Sequence, residues 1–334
     1  MDVRIGLIGC GVMGADHAAI LRAGVAGARL AAVQDADGKR ARALAETLGT
    51  VAVMDEAAAL IASPEVDAVL IAAPDPAHAP LVLACIAAGK PVLCEKPLAD
   101  TVEGCRGVVA AEMKSGRRLV QVGFMRRFDA GYHAMRQAVE RESLGAPLML
   151  HCVHRNKVAP DYITSAQVIA NSGVHEMDIA RYLLAEDFAA VTVISARASR
   201  LMPNRQPQMI LLESARGVVV SVEVTPDAQY GYDVRGELVC ESGTISLAPA
   251  PPVALRQAGL DGFAVEEDWR TRFGEAYRAQ MVAWVHAVRG GQPAGASAWD
   301  GYMASRTAAA ALEAWQAGGR VVMAPESRPD FYAV

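Results

Sequence analysis

A glycine pattern near the start of the chain constrains the fold more than any other feature. The apolar run Val3–Ile8 leads directly into Gly9, Gly11 and Gly14, and residues 15–21 then have the composition of a helix. A strand, a glycine turn and a helix in this order are typical of a dinucleotide-binding unit. The first two glycines permit the tight turn and the close approach of a pyrophosphate, and the third lets the helix pack on the strand. Val12 and Met13 lie inside this turn and are candidate cofactor contacts.

Alternating strands and helices fill the first third of the chain. Strands are predicted at 3–8, 30–33, 68–72, 92–94 and 119–122, and helices at 15–21, 39–48, 80–88 and 101–114. Short apolar strands separated by helices indicate a parallel, doubly wound sheet. We therefore expect an α/β chain in which residues 1–123 form a cofactor-binding Rossmann domain.

Asp35 indicates which dinucleotide is bound. It ends the second predicted strand, about 20 residues beyond the glycines, where the fingerprint places an acidic residue. Its carboxylate would accept hydrogen bonds from the ribose hydroxyls and repel a 2′-phosphate. No arginine directly follows it, since the next residues are Ala36, Asp37 and Gly38. The sequence predicts NAD rather than NADP; a solvated surface aspartate beside an ordinary glycine turn is the less favoured alternative.

Later strand ends supply further candidates, because open sheets bind ligands beyond the carboxyl ends of their strands. Ala73 and Pro74 follow the predicted strand at 68–72, and His78 lies just beyond. His78 could line the nicotinamide side of a cleft, or it could be an ordinary residue at a helix start. The motif Glu95-Lys96-Pro97 follows the predicted strand at 92–94, and a cis bond before the proline would turn Lys96 into the cleft. From the residues alone, a surface lysine is an equal alternative.

After about residue 123 the pattern changes. A helix at 132–141 precedes apolar runs at 147–154, 191–196, 208–212, 218–224 and 234–240, and helices at 273–288 and 299–315 close the chain. Alternating runs joined by turns indicate a mostly antiparallel sheet. Residues 124–334 are therefore predicted to form an α+β domain.

Composition excludes several classes of partner. The net charge is −5, no basic run is present and 5% of residues are aromatic, so the chain lacks the footprint of a nucleic-acid binder. No segment is apolar over the length of a membrane helix, and no charged leader precedes an apolar run. The six cysteines have no paired spacing typical of a metal site. We expect a cytoplasmic protein with a small-molecule partner and no metal.

The motifs together resemble a known family. The glycine turn, Glu95-Lys96-Pro97 and His175 on a later helix resemble the Gfo/Idh/MocA oxidoreductases. Segments 119–129, 151–156, 230–233 and 298–302 are similar to the branch of bacterial myo-inositol 2-dehydrogenases, so the resemblance spans nearly the whole chain. It implies NAD-dependent oxidation of a cyclic polyol and an open sheet that packs against other subunits in a homotetramer.

The resemblance also implies a lysine, an aspartate and a histidine in the site. Lys96 and His175 match two of them, but Asn171 stands where the aspartate is expected. His175 would accept the hydroxyl proton, and Lys96 would donate to the same oxygen. Four-residue spacing on a helix puts Asn171 and His175 on one face, where Asn171 can orient but cannot carry a proton. A buried histidine bonded to backbone is the alternative reading of His175.

The remaining candidates are polar or flexible side chains that could meet substrate hydroxyls. They are Met125, Arg126, His154, Asn156, Ser172 and Tyr232, with Arg155 and Tyr230 as further donors and Asp178 as a group that could orient His175. Arg126 and Arg127 are adjacent, so on an extended segment they would point to opposite sides. Following the family, Arg126 is the one expected to face the substrate.

Three functions stay open. The first is inositol dehydrogenation, with another inositol isomer or a pyranose sugar as a close variant. The second is the same chemistry in the reductive direction. The third is a non-catalytic NAD-binding regulator, for which Asn171 is the argument and the retained Lys96 and His175 are the counterargument.

Overall fold

The predicted strand, turn and helix open the chain in the computed structural model, which describes residues 2–49, 51–248 and 255–333. The elements of this part are β1 (Val3–Ile8), α1 (Val12–Arg22), β2 (Ala28–Gln34), α2 (Gly38–Leu48), β3 (Ala52–Val53), α3 (Ala57–Ala62), β4 (Ala68–Ile71), α4 (His78–Ala87), β5 (Val92–Cys94), α5 (Val102–Ser115) and β6 (Val120–Val122). The predicted strands are all present. The short pair β3 and α3 was not predicted, because neither is long enough to show a periodic pattern.

The later part of the chain is richer in strands. Its elements are α6 (Ala130–Glu140), β7 (Pro147–Arg155), α7 (Ser165–Gln167), α8 (Gly173–Leu184), β8 (Phe188–Ser195), β9 (Gln208–Ser214), β10 (Val219–Thr225), β11 (Asp233–Cys240), β12 (Gly243–Ser246), β13 (Leu255–Gln257), β14 (Leu260–Gly262), α9 (Trp269–Gly290), β15 (Ala296–Ser297), α10 (Ala298–Ala317) and β16 (Val321–Val322). Between α7 and α8, residues Val168–Ser172 form a π-helical turn.

The first sheet has the order β15-β6-β5-β4-β1-β2-β3. Strands β1 to β6 run parallel, and β15 pairs antiparallel with β6. All four residues of β4 are buried, as expected for a parallel strand with helices on both faces. The carboxyl ends of β1, β4 and β5 therefore meet at one edge, which is where the candidate cofactor residues follow.

The second sheet has the order β12-β11-β7-β10-β9-β8-β16 and is antiparallel except where β7 pairs with β10. Burial alternates along its strands: Val220, Val222 and Val224 are buried in β10, whereas Val219 is exposed. Helix α8 packs on the buried face, over β7 and β10. The predicted fold class, a Rossmann sheet followed by a mostly antiparallel open sheet, is confirmed.

The chain divides into two compact units. The first contains residues 1–128, 276–305 and 328–334, and the second contains 129–275 and 306–327. The first unit thus includes the predicted Rossmann segment together with stretches from α9 and α10. Within the described residues, none of the helices combines the length and the apolar character needed to span a membrane.

Candidate active site

The three glycines of the first turn have three different roles. Gly9 has a φ of +96°, and a Cβ atom there would lie 2.4 Å from the carbonyl oxygen of Ala72. A Cβ at Gly14 would lie 1.9 Å from the carbonyl oxygen of Gly9, so only glycine lets α1 pack this closely. A Cβ at Gly11 would meet nothing within 4 Å, which leaves open space above the turn. This is the arrangement that the sequence predicted.

The first turn of α1 suits a diphosphate. The N-cap of α1 is Gly11, which has no side chain to occupy the free N–H groups, and the first turn carries no acidic residue. Val12 is exposed and Met13 is half-buried, so both border the open space. The first N–H groups of a helix have no partner within it and favour an anion. These residues fit the pyrophosphate of a dinucleotide.

Asp35 follows β2 and is held by backbone groups. Its Oδ2 accepts a hydrogen bond from Cys10 N at 2.7 Å, and its Oδ1 accepts one from Asp37 N at 2.8 Å. A guanidinium nitrogen of Arg40 lies 3.8 Å from Oδ1. The carboxylate is therefore fixed beside the glycine turn, where a ribose would have to lie. Arg40 was not predicted, because it is on the first turn of α2 and not directly after Asp35.

His78 links two loops at the carboxyl edge of the sheet. Its Nδ1 lies 2.6 Å from the carbonyl oxygen of Pro97, and its Nε2 lies 2.8 Å from that of Ala73. The side chain is buried at the start of α4. His78 thus fastens the segment containing Ala73 and Pro74 to the segment after Lys96. These two contacts favour a structural role for His78, in shaping this edge of the sheet, over the two alternatives given above: lining the nicotinamide side of a cleft, or being an ordinary residue at a helix start.

Glu95 and Lys96 follow β5 directly. The Lys96–Pro97 peptide bond is cis, and Lys96 is half-buried. Glu95 is buried, and its Oε1 lies 2.8 Å from Nε2 of His17 on α1. Burial raises the pKa of Glu95, but the hydrogen bond and charge interaction with His17, together with the charge of Lys96, outweigh it and hold that pKa below its ordinary value. His17 was not a candidate from sequence.

The arginine pair after β6 differs from the prediction. Met125–Phe128 forms a 3-10 helix, so the extended segment expected for Arg126 and Arg127 is wrong. The two side chains separate nonetheless, because successive residues of a tight helix also project in different directions. Arg127 pairs with Asp300 at 3.4 Å, while Arg126 and Met125 are buried.

In the second unit, four candidate or neighbouring side chains form one buried cluster. The ring of His154 on β7 lies 6.2 Å from that of His175 on α8 and 5.8 Å from that of Tyr232. Nδ1 of His154 lies 3.1 Å from Oε2 of Glu176. If the carboxylate accepts from Nδ1, a neutral ring presents Nε2 as an acceptor. The structure therefore brings His154, His175 and Tyr232 together as a polar, aromatic group.

Asn171 and Ser172 lie in the π-helical turn that precedes α8. The regular α-helix assumed through these residues is wrong, because a π turn holds one more residue than an α turn and alters the angle between Asn171 and His175. Both Asn171 and Ser172 are half-buried. Such wide turns occur often at functional sites.

Two of the further donors lie on the other face of the sheet. Arg155 follows His154 on β7, so its side chain points to the opposite side of the sheet. There it pairs with Glu223 at 2.7 Å and donates a hydrogen bond to the Tyr230 hydroxyl at 3.0 Å. Asn156 donates its backbone N–H to Thr225 O. Arg155 and Tyr230 therefore do not join the cluster around His154.

Two protein-family models match this chain. Residues 3–124 match the profile described as "Oxidoreductase family, NAD-binding Rossmann fold", and residues 132–246 match the "GFO/IDH/MocA C-terminal domain". The chain belongs to the GFO/IDH/MocA oxidoreductase family. It is an NAD-dependent oxidoreductase, as the sequence predicted.

Named members of the GFO/IDH/MocA family match over full length. "Inositol 2-dehydrogenase 1" of Saccharopolyspora erythraea is 48% identical over 99% of both chains, and "Inositol 2-dehydrogenase" of Pseudomonas fluorescens is 45% identical over 100% of both chains. The crystal structure of myo-inositol dehydrogenase from Lactobacillus casei with NAD(H) and myo-inositol has a TM-score of 0.96 and 32% identity, covering 99% of this chain and 100% of that one. Enzymes with this name act on a CH–OH group.

Sequence reasoning missed two acidic pairings in this GFO/IDH/MocA chain. Glu176 lies next to His175 but was not considered, and His17 lies 78 residues from its partner Glu95. The burial of Glu176 is a structural finding, since it stands in the nearly continuous buried stretch of α8. A carboxylate in such a stretch requires a partner.

Proposed function

We propose that the chain oxidises a secondary hydroxyl of a cyclic polyol, with inositol as the preferred substrate. The observation that carries the proposal is the buried group of His154, His175 and Tyr232 beside Glu176, on the scaffold of a family whose named relatives are inositol 2-dehydrogenases. A ring of hydroxyls needs several donors and acceptors, because each buried hydroxyl must be paired. When bound, NAD supplies the hydride acceptor.

In this proposal His175 accepts the hydroxyl proton, since a neutral imidazole can act as a base near pH 7. Lys96 donates to the substrate oxygen and stabilises its alkoxide character. Asn171 orients a hydroxyl through its amide. His154 and Tyr232, with Met125, Arg126, Asn156 and Ser172, provide further substrate contacts.

The cofactor contacts proposed are the glycine turn from Gly9 to Gly14, Asp35, the segment Ala73–Pro74, whose position His78 helps to fix, and Glu95 with Lys96. Residues 1–123 would accordingly bind the cofactor, and residues 124–334 would bind the substrate and mediate assembly. We further propose a cytoplasmic location, which the six free cysteines support, because disulfides are rare in that compartment.

The open face of the second sheet supports assembly with further copies of this chain. Met149, Met209, Val219 and Ile194 are exposed large apolar side chains on strands whose other faces are buried. Exposed apolar patches of this kind mark interaction surfaces. A homotetramer is proposed, and light scattering coupled to size exclusion should give four times the monomer mass, with a smaller mass for Val219→Glu. A wild-type monomer would exclude it.

The function is tested with a panel of inositol isomers and pyranoses, assayed for NADH formation with NAD and for NADPH formation with NADP. Asn171→Asp restores the carboxylate that the family pattern expects, and Asn204→Asp adds the same charge at an exposed position. Wild-type turnover of an inositol with NAD supports the proposal. Turnover by Asn171→Asp alone would show that the natural chain has lost this activity. Tight NAD binding without turnover of any polyol would favour the regulator, for which Asn171 is the specific argument.

A further inference from the structure

His17 and Glu95 form a buried ionisable pair inside the first unit. Nε2 of His17 lies 2.8 Å from Oε1 of Glu95, and the two residues are 0% and 5% exposed. Taking such groups out of water costs free energy, so the pair contributes little to stability by itself. Its position directly before Lys96 suggests a different role.

Glu95 connects this pair to Lys96. Its second oxygen, Oε2, accepts the backbone N–H of Lys96 at 3.2 Å. Gly123, which follows β6, lies on the other side of the Glu95 carboxylate. A Cβ atom at Gly123 would lie 3.1 Å from the Glu95 side chain, so glycine at this position lets the end of β6 approach the carboxylate closely. The carboxylate is thus held between α1, the end of β6 and the peptide group that leads into Lys96.

His17 makes few other polar contacts. Its ring meets the edge of Tyr277 at 5.7 Å between centroids, and its Nδ1 has no hydrogen-bond partner among the described residues. Its orientation therefore depends on Glu95 and on packing against Tyr277. His17 also belongs to α1, the helix whose N-terminus is proposed to hold the pyrophosphate.

We propose that His17 is a positioning residue for Lys96. It holds the Glu95 carboxylate, and the carboxylate fixes the backbone from which Lys96 reaches the substrate oxygen. This inference rests on the role proposed above for Lys96. Because α1 carries both His17 and the glycine turn, one rigid element places the cofactor and, through Glu95, the lysine. A displacement of a catalytic group by 1 Å can cost a factor of about 100 in rate.

The test compares two substitutions of His17 with a matched control. His17→Phe keeps a ring against Tyr277 but removes the donor, whereas His17→Gln keeps an N–H donor. We expect kcat to fall by roughly 10- to 100-fold in His17→Phe, with NAD affinity close to that of wild type, and to recover partly in His17→Gln. The melting temperature of His17→Phe should fall, because the buried Glu95 carboxylate loses its partner. His286→Phe, an exposed histidine on α9, should leave kcat unchanged. Wild-type kcat in His17→Phe would overturn the proposal, as would equal loss in both His17 variants.

A second readout does not depend on the substrate. The rate at which an amine-directed reagent labels Lys96 is measured by mass spectrometry relative to exposed Lys114 in wild type, His17→Phe and His17→Gln. The labelling ratio should change in His17→Phe and return toward wild type in His17→Gln. An unchanged ratio in His17→Phe would contradict the proposal. A changed ratio in a chain that oxidises no polyol would retain the positioning role and reject the proposed function.

Discussion

His154 and Glu176 form a buried pair in the second unit, with Nδ1 of the imidazole 3.1 Å from Oε2 of the carboxylate. One residue lies on β7 and the other on α8, so the pair fixes the ring relative to both elements. His175 precedes Glu176 on the same helix. The base proposed for catalysis and the group that orients its neighbour are therefore adjacent in sequence and project from α8 in different directions.

Glu176→Gln should reduce kcat/KM for the substrate by roughly 10-fold while leaving the fold intact, because the amide can keep an acceptor oxygen but loses the charge that favours one imidazole tautomer. Glu176→Ala removes the acceptor altogether and should lower the free energy of unfolding by about 1–3 kcal/mol. Steady-state kinetics and chemical denaturation measure the two effects. Wild-type kinetics in both variants would exclude a role for this pair in the site.

His175→Ala should lower kcat by about 10²- to 10⁴-fold, the range that a general base contributes. NAD affinity, measured by fluorescence titration, should stay close to wild type because His175 is not among the proposed cofactor contacts. His133→Ala changes an exposed histidine of the second unit and serves as the control. Unchanged turnover in His175→Ala would remove His175 as the base.

Asp35→Asn should shift the cofactor preference toward NADP. The substitution retains an acceptor for Cys10 N but removes the negative charge that would face a 2′-phosphate, and Arg40 is then no longer balanced by this carboxylate. Relief of about 1.4 to 2.8 kcal/mol of like-charge repulsion corresponds to a change of about 10- to 100-fold in the ratio of kcat/KM values for NADP and NAD. The double variant Asp35→Asn with Arg40→Ala should lose part of this gain. An unaltered ratio would show that Asp35 serves only the turn.

Glu112 gives a prediction about pH and stability. It is buried in the first unit, where its Oε1 accepts the N–H groups of Leu119 and Val120, both at 2.7 Å, and its Oε2 accepts the hydroxyl of Tyr332 at 2.6 Å. Burial outweighs these hydrogen bonds and raises the pKa of Glu112 above its ordinary value. The native state then binds this proton more tightly than the unfolded state, so its contribution to stability falls as pH rises from the ordinary glutamate range through the raised pKa.

Glu112→Gln removes that titration. The melting temperature of the variant minus that of wild type should become more positive as pH increases from about 4.3, the ordinary glutamate pKa, to the neutral range. Glu103→Gln, an exposed residue of the same helix α5, should show no such trend. A difference in melting temperature between Glu112→Gln and wild type that stays constant across this pH range would contradict the raised pKa of Glu112.

Local patterns in the sequence were sufficient for the Rossmann sheet and the glycine turn, because each depends on residues close together in the chain. The spacing of Gly9, Gly11 and Gly14 and the strand before them predict that turn from one short segment. The candidates Asp35 and Lys96 followed from their places at strand ends. The antiparallel character of the second sheet was also visible in its alternating runs.

The features that could not be predicted from the sequence depend on long-range contacts or on irregular backbone geometry. His17 meets Glu95 only after β1 and β5 are assembled into one sheet, and no spacing rule connects residues 78 positions apart. The 3-10 helix around Arg126 is shorter than any period that a sequence can display. The π turn at Asn171 adds one residue to a helix whose hydrophobic pattern is otherwise regular, so its presence cannot be detected by periodicity.

The π turn has a consequence for how this protein can change. Removing one residue from Val168–Ser172 would convert the bulge into regular α-helix, while α8 and His175 would keep their register. The helix ahead of the deletion would stay nearly in phase, because a π-bulge holds its extra residue within one widened turn, and the side chains inside that turn would change direction. In the proposed complex, chain length at this point therefore sets the direction from which Asn171 meets a substrate hydroxyl, while the proposed proton acceptor stays in place and no side chain type is exchanged.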